Sequence, residues 1–149
     1  IVVIAANVLA ALMKLKLLAL PLVIFLISSC DLENPGGVLT YNELPASVIE
    51  FFDTTDILEN EQIIAYYDVT LVLDNSESAI LTNKNLIYYK YGRVERFPLS
   101  SIVSIEEEEC FGLCIIASTR DSRVMKIEIA PLNGGDIFLE LLRKQVAKA

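Results

Sequence analysis

Residues 63–74, IIAYYDVTLVLD, decide how the rest of the chain is read. Ile63, Ala65, Tyr67, Val69, Leu71 and Leu73 occupy every second position, with Tyr66, Asp68, Thr70 and Asp74 between them. Successive side chains of a strand point to opposite faces, so this period of two predicts a long, half-buried strand. Asp74-Asn75-Ser76 then reads as a turn, because short polar side chains bond to nearby backbone and tolerate tight bends.

The same pattern continues toward the C-terminus. Residues 78–81 read as a short strand closed by the turn Thr82-Asn83-Lys84-Asn85, and residues 86–91 and 93–99 as two strands around Gly92. Residues 102–107 and 113–119 form a further pair near Gly112, and Met125, Ile127 and Ile129 alternate with Lys126 and Glu128 in the last run. About seven strands with short antiparallel connections result. The period then changes. After Asn133-Gly134-Gly135, Asp136 is the expected N-cap of a helix in which Phe138, Leu141, Leu142 and Val146 recur at helical spacing. Arg143, Lys144 and Lys148 near its end suit the helix dipole. Upstream, Pro45 opens a short helix with Val48, Ile49 and Phe52 on one stripe, ending near Asp53.

Two stretches carry a family resemblance. SAILTNKNLIYY, residues 78–89, resembles the tight hairpin of bacterial pleckstrin-homology-like domains, in which leucine, threonine, asparagine and a basic residue precede an apolar position and two tyrosines. RFPLSSIVSI, residues 96–105, resembles the segment in which an aromatic residue, proline, leucine and a small residue lead into a β-run. The resemblance covers about residues 60–147, and the glutamates at 106–109 depart from it. It implies a mainly β fold over residues 43–149: a curled antiparallel sheet or split barrel of about seven strands, capped by the C-terminal helix. Such domains serve as membrane-surface and protein-docking modules, and some eukaryotic relatives bind phosphoinositide headgroups through basic residues at one end of the barrel. Lys84, Lys90, Arg93 and Arg96 are the matching basic residues here.

A different signal lies before the domain. In MKLKLLALPLVIFLISSC, residues 13–30, Lys14 and Lys16 precede a short apolar run that ends in Ser28-Ser29-Cys30. This is the layout of a secretory signal, and its end resembles the bacterial lipobox, cut before a cysteine that carries a diacylglycerol. The apolar run falls short of the roughly 20 residues that cross a bilayer core, although an uncleaved N-terminal anchor remains the competing reading. Residues 1–12 read as an upstream extension or a mis-assigned start, 13–29 as the signal peptide, and 30–42 as the lipidated cysteine and a tether. An N-acylated Cys30 would hold three palmitate-type chains, enough for stable anchoring. Asp31 resembles the signal that retains some lipoproteins in the inner membrane. The expected location is therefore the bacterial cell membrane, on its periplasmic or extracellular face.

Charge and residue types narrow the function. The formal charge is −8, or −10 without Lys14 and Lys16, which speaks against nucleic acid as a partner. The chain has no histidine, the commonest general base near neutral pH, and no cofactor, metal site or enzymatic activity is expected. The glutamates at 106–109 read as a solvated loop and strand end. Cys110 and Cys114 flank Phe111-Gly112-Leu113. They either bridge across a turn at Gly112, as an oxidising compartment permits, or stay two buried thiols, about 13 Å apart where one strand runs through both. The expected function is a non-catalytic, lipid-anchored module that binds a membrane-proximal protein partner. The alternative is a lipid or envelope ligand bound around Lys84, Lys90, Arg93 and Arg96.

Overall fold

The computed structural model describes residues 36–149; the signal at 13–29, Cys30 and Asp31 lie outside the described residues. Eight strands and two helices follow one another: β1 (Val38–Thr40), α1 (Ala46–Thr55), β2 (Ile63–Asp68), β3 (Glu77–Thr82), β4 (Asn85–Lys90), β5 (Arg93–Pro98), β6 (Ile102–Cys110), β7 (Gly112–Thr119), β8 (Val124–Ile129) and α2 (Gly135–Val146). Strands β1 to β5 form one antiparallel sheet in sequence order, and β6 to β8 form a second.

This corrects the expected fold. The sheets are separate, five strands and three, and neither the curled sheet nor the split barrel of the pleckstrin-homology-like domains is formed. The break falls at Pro98. Proline has no amide to donate, and the chain leaves the first ladder there through a 3-10 turn, Leu99–Ser101, before β6 begins. Residues 38–40, assigned to the tether from sequence, form β1 on the edge of the first sheet, paired with Tyr67, Tyr66 and Ala65.

Alternation holds where the chain stays in register. In β8, Met125, Ile127 and Ile129 are buried and the residues between them exposed. It fails in β2, where a β-bulge between Ile63 and Ala65 inserts one extra residue. Ile63 then packs on one face of the sheet, while Ile64 and Ala65 pack on the other. The strand also ends at Asp68, so Leu71, expected on the buried face, is fully exposed in the loop beyond.

Both faces of the five-stranded sheet are covered. On the inner face Ala65, Tyr67, Leu81, Leu86 and Phe97 meet Ile115, Met125 and Ile127 of the second sheet, with Phe138, Leu139 and Leu142 of α2. On the outer face Leu39, Tyr66, Ile80 and Ile87 meet Val48 and Phe52 of α1 and Ile57 just after it. Phe52 stands edge-on to Tyr66 with ring centroids 5.6 Å apart. Helix α2 starts two residues earlier than its sequence suggested: Gly134 is the N-cap, in the left-handed conformation at φ +76°, and Asp136 lies inside the first turn.

Candidate functional site

The four basic residues singled out in the sequence do not converge. Lys84 sits in the β3–β4 turn, whereas Lys90 and Arg93 pair across the β4–β5 hairpin at the other end of β4. Six residues of strand separate Lys84 from Lys90, about 20 Å. Arg96 is three residues from Arg93 and thus on the opposite face, where it donates to the Ile57 carbonyl and pairs with Glu59 at 3.1 Å. It ties the chain after α1 to β5. Lys90 pairs with Glu77 at 2.9 Å.

The Glu77–Lys90 pair closes a gap at the rim between the two sheets. Tyr88 donates its hydroxyl to Glu77, and Lys126 and Glu128 of β8, paired at 3.0 Å, line the same gap. Burial disfavours ionisation of Glu77, but the Tyr88 hydroxyl and the Lys90 ammonium outweigh it and hold the carboxyl below its ordinary range. Burial, and next the bond to Glu77, push the Tyr88 phenol up, so it stays a donor.

Asp68 is buried at the end of β2 and organises the loop that follows. Its carboxylate accepts the Thr70 amide at 2.8 Å and hydroxyl at 2.6 Å on one oxygen, and the Asn75 amide at 2.7 Å on the other. The Asn75 side chain in turn accepts the Tyr66 hydroxyl at 2.5 Å. Burial, with the Asp68 charge nearby, raises the Tyr66 phenol well above its usual range. Glu61 does similar work at the opposite end of the sheet, accepting from Thr82 and Asn85, each at 2.5 Å, in the β3–β4 turn. The buried Asp68 and the half-buried Glu61 are each occupied by nearby donors and hold the chain around them in place.

At the β6–β7 turn, Cys110 and Cys114 are joined by a disulfide, with Cα atoms 5.9 Å apart. Cys110 pairs with Gly112, so Phe111 alone makes the tip. Gly112 has φ +112°, and a Cβ there would collide with the Ile129 carbonyl of β8. Only glycine lets β7 pass so close to the end of β8. The glutamates at 106–109 belong to β6, not to a loop, and are all exposed. Glu107 and Glu109 pair across with Ile115 and Leu113, Glu106 and Glu108 with Ile116 and Cys114, so the four carboxylates divide between the two faces. One of them, Glu107, reaches Arg143 of α2 at 3.4 Å.

Strand β6 is an edge of the three-stranded sheet, with β7 on one side and no strand paired to the other among the described residues. It is also the longest strand, nine residues. Sequence reading located its acids but not its edge position, which depends on the sheet division at Pro98. Among the described residues no group of three or more histidine, cysteine, aspartate or glutamate side chains is placed to hold a metal ion, and no helix is long and apolar enough to cross a membrane. No protein-family model, curated protein or solved structure matches the chain, so the resemblance drawn from residues 78–89 and 96–105 gains no support from relatives.

Proposed function

We propose that the chain is a membrane-anchored lipoprotein whose domain binds a protein partner close to the membrane surface, without catalysing a reaction. The observation that carries this reading is the open edge of β6. A nine-residue edge strand offers a row of backbone donors and acceptors to an added strand. Its four glutamates repel a second copy of the same edge and favour a basic segment, the usual way in which such edges are kept from self-pairing. The disulfide fixes one end of this strand to β7, so the edge is offered pre-formed.

The anchor is the signal at residues 13–30, with Cys30 as the lipidated residue and Asp31 favouring retention on the periplasmic face of the inner membrane. Anchoring raises the effective concentration of the domain toward membrane-bound partners. Affinity purification from membranes of the native protein, beside Cys30→Ala and a Glu106→Lys/Glu108→Lys variant, tests both parts. The native protein is expected to recover a specific partner that both variants lose, the first by leaving the membrane and the second while remaining on it. A partner retained by the charge-reversed variant would remove β6 from the interface. Saturable binding to one lipid headgroup, with no protein recovered, would overturn the reading.

A further inference from the structure

Exposed apolar side chains are unevenly placed on this domain. Among the described residues Leu132 and Leu71 are fully exposed, Phe111 is 87%, Val72 76% and Tyr91 73% exposed, against 61% for the next, Tyr41. All five lie at one end. Leu71 and Val72 are in the β2–β3 loop, where Ser76 accepts the Tyr91 amide at 2.8 Å and so brings the β4–β5 hairpin alongside. In the same loop, Leu73 packs against Gly36, 3.5 Å from where a Cβ would stand. The Val38 amide donates to the Asn133 carbonyl at 2.8 Å, which adds Leu132 and the β8–α2 loop to this end. Gly112 lies against the backbone of Ala130 and Pro131, and that contact adds Phe111. The first described residues, 36–38, thread between these loops.

The backbone at these tips is unusual for such residues. Tyr91 at φ +46°, Leu132 at φ +66° and Leu73 at φ +54° adopt the left-handed region, which bulky side chains rarely enter. Glycine takes this conformation at the neighbouring positions 36, 37, 92 and 134. At Tyr91 and Leu132 the chain keeps a large apolar side chain in a strained, exposed place. The supports are stiff. Asp68 fixes the β2–β3 loop, and the disulfide clamps the Phe111 tip. A left-handed backbone under two of the five most exposed apolar side chains, Tyr91 and Leu132, agrees with a function for those groups.

We propose that this end is a bilayer-contact surface, with Leu71, Val72, Tyr91, Phe111 and Leu132 entering the interfacial layer of a lipid membrane. The proposal rests on the reading of Cys30 as an anchor for its choice of occupant. Cys30 precedes Gly36 by six residues, which span at most about 20 Å. Acyl chains on Cys30 would therefore keep within reach of the bilayer the end at which residues 36–38 thread between the apolar loops. Tyr91 stands between Lys90 and Arg93 in sequence, and Arg93 has no ion pair among the described residues. An aromatic ring flanked by cations suits the headgroup level, where tyrosine collects and basic side chains reach the phosphates. Asp74, Glu109 and Asp136 lie in or next to the same loops, so the surface suits zwitterionic lipid better than a strongly anionic one.

The chain contains no tryptophan, so a single introduced one reports its own position. Phe111→Trp and Leu132→Trp mark the apolar end; Val124→Trp marks the exposed start of β8, at the opposite end of that strand. Each protein, purified from bacterial membranes as the full expressed chain, is reconstituted into phosphatidylcholine vesicles with and without bromine-labelled acyl chains, and flotation is read in parallel. Phe111→Trp and Leu132→Trp should shift to the blue and be quenched severalfold by the bromolipid, with Val124→Trp unchanged. Quenching at the two tips in protein that carries no acyl group would support the surface and overturn the anchor. Protein that floats while all three reporters stay unquenched overturns the surface and leaves the anchor standing; protein that neither floats nor shifts overturns both. A blue shift without vesicles that grows with protein concentration would assign these loops to a second copy of the chain, against the proposal.

Discussion

The two faces of the five-stranded sheet are covered by material from different distances along the chain. The outer face is capped by α1 and Ile57, which end only a few residues before β2 begins. The inner face waits for the second sheet and α2, so Tyr67 and Ala79 share a core with Ile127, Phe138 and Leu142. Alternate residues of the same strands therefore serve two cores of unequal reach. The outer one is local and small, and the inner one joins the first third of the domain to its last helix. Loss of the outer cover should leave a recognisable two-sheet structure, while loss of the inner one should leave none.

The largest effect expected from that difference is at Leu142, which is fully buried between α2 and the sheets. Leu142→Asp places a charge in a desolvated contact and should destabilise by at least about 4 kcal/mol, read as a fall in the denaturant midpoint or as failure to fold. A variant of near-native stability would mean that α2 is not held as described. A smaller loss, about 3 kcal/mol, is expected for Phe52→Ala, which empties the centre of the outer core and removes the edge-on contact with Tyr66. Hydrogen exchange sharpens the distinction: amides of α1 should exchange faster in this variant while those of β7 keep their protection. Equal loss of protection in both would show one cooperative core in place of two.

Acid separates the faces by a still smaller effect. The inner rim carries Glu77, whose carboxyl is held below its ordinary range in the folded state by Tyr88 and Lys90 against the cost of burial. A depressed folded value contributes stability above the unfolded value, near 4.5, which is lost as pH falls through the folded value. Glu77→Gln should thus lower stability at neutral pH and flatten its decline below about pH 4.5 in urea titrations. An unchanged acid limb would take Glu77 out of the rim's energetics.

What could be read from the sequence was local. The alternation of β8, the helical stripe of Phe138 and Leu142, and the turns at Asn83 and Gly92 each follow from a few neighbouring residues, and each is present. Apart from the N-cap at Gly134, expected at Asp136, the misreadings were non-local. One extra residue at the bulge sends Ile63 to the outer face, and no composition marks it. Tyr66 looked half-exposed because nothing in its own strand announces that α1 would cover it. The division at Pro98, which undid the barrel expectation, depends on where β6 goes next. Of the candidate residues, Lys84, Lys90, Arg93 and Arg96 formed a group only along the chain. The apolar tips were hidden for the converse reason. Leu71 fits a strand alternation by chance, while Tyr91, Phe111 and Leu132 come together only through loops far apart in sequence.

The bridge at the β6–β7 turn has a consequence for the chemistry of its removal. Its two halves stand in unlike surroundings, Cys110 on an exposed residue and Cys114 on one that is fully buried. Thiol–disulfide exchange needs an incoming thiolate to reach one sulfur and the other to depart as a leaving group. Attack is open on the Cys110 side, and the departing thiolate would then be Cys114, formed where solvent does not reach to stabilise its charge. A passing small thiol thus meets an accessible target with a poor exit, and the mixed disulfide it forms on Cys110 keeps its resolving partner a few ångströms away. The bridge is accordingly biased toward closing again after each encounter.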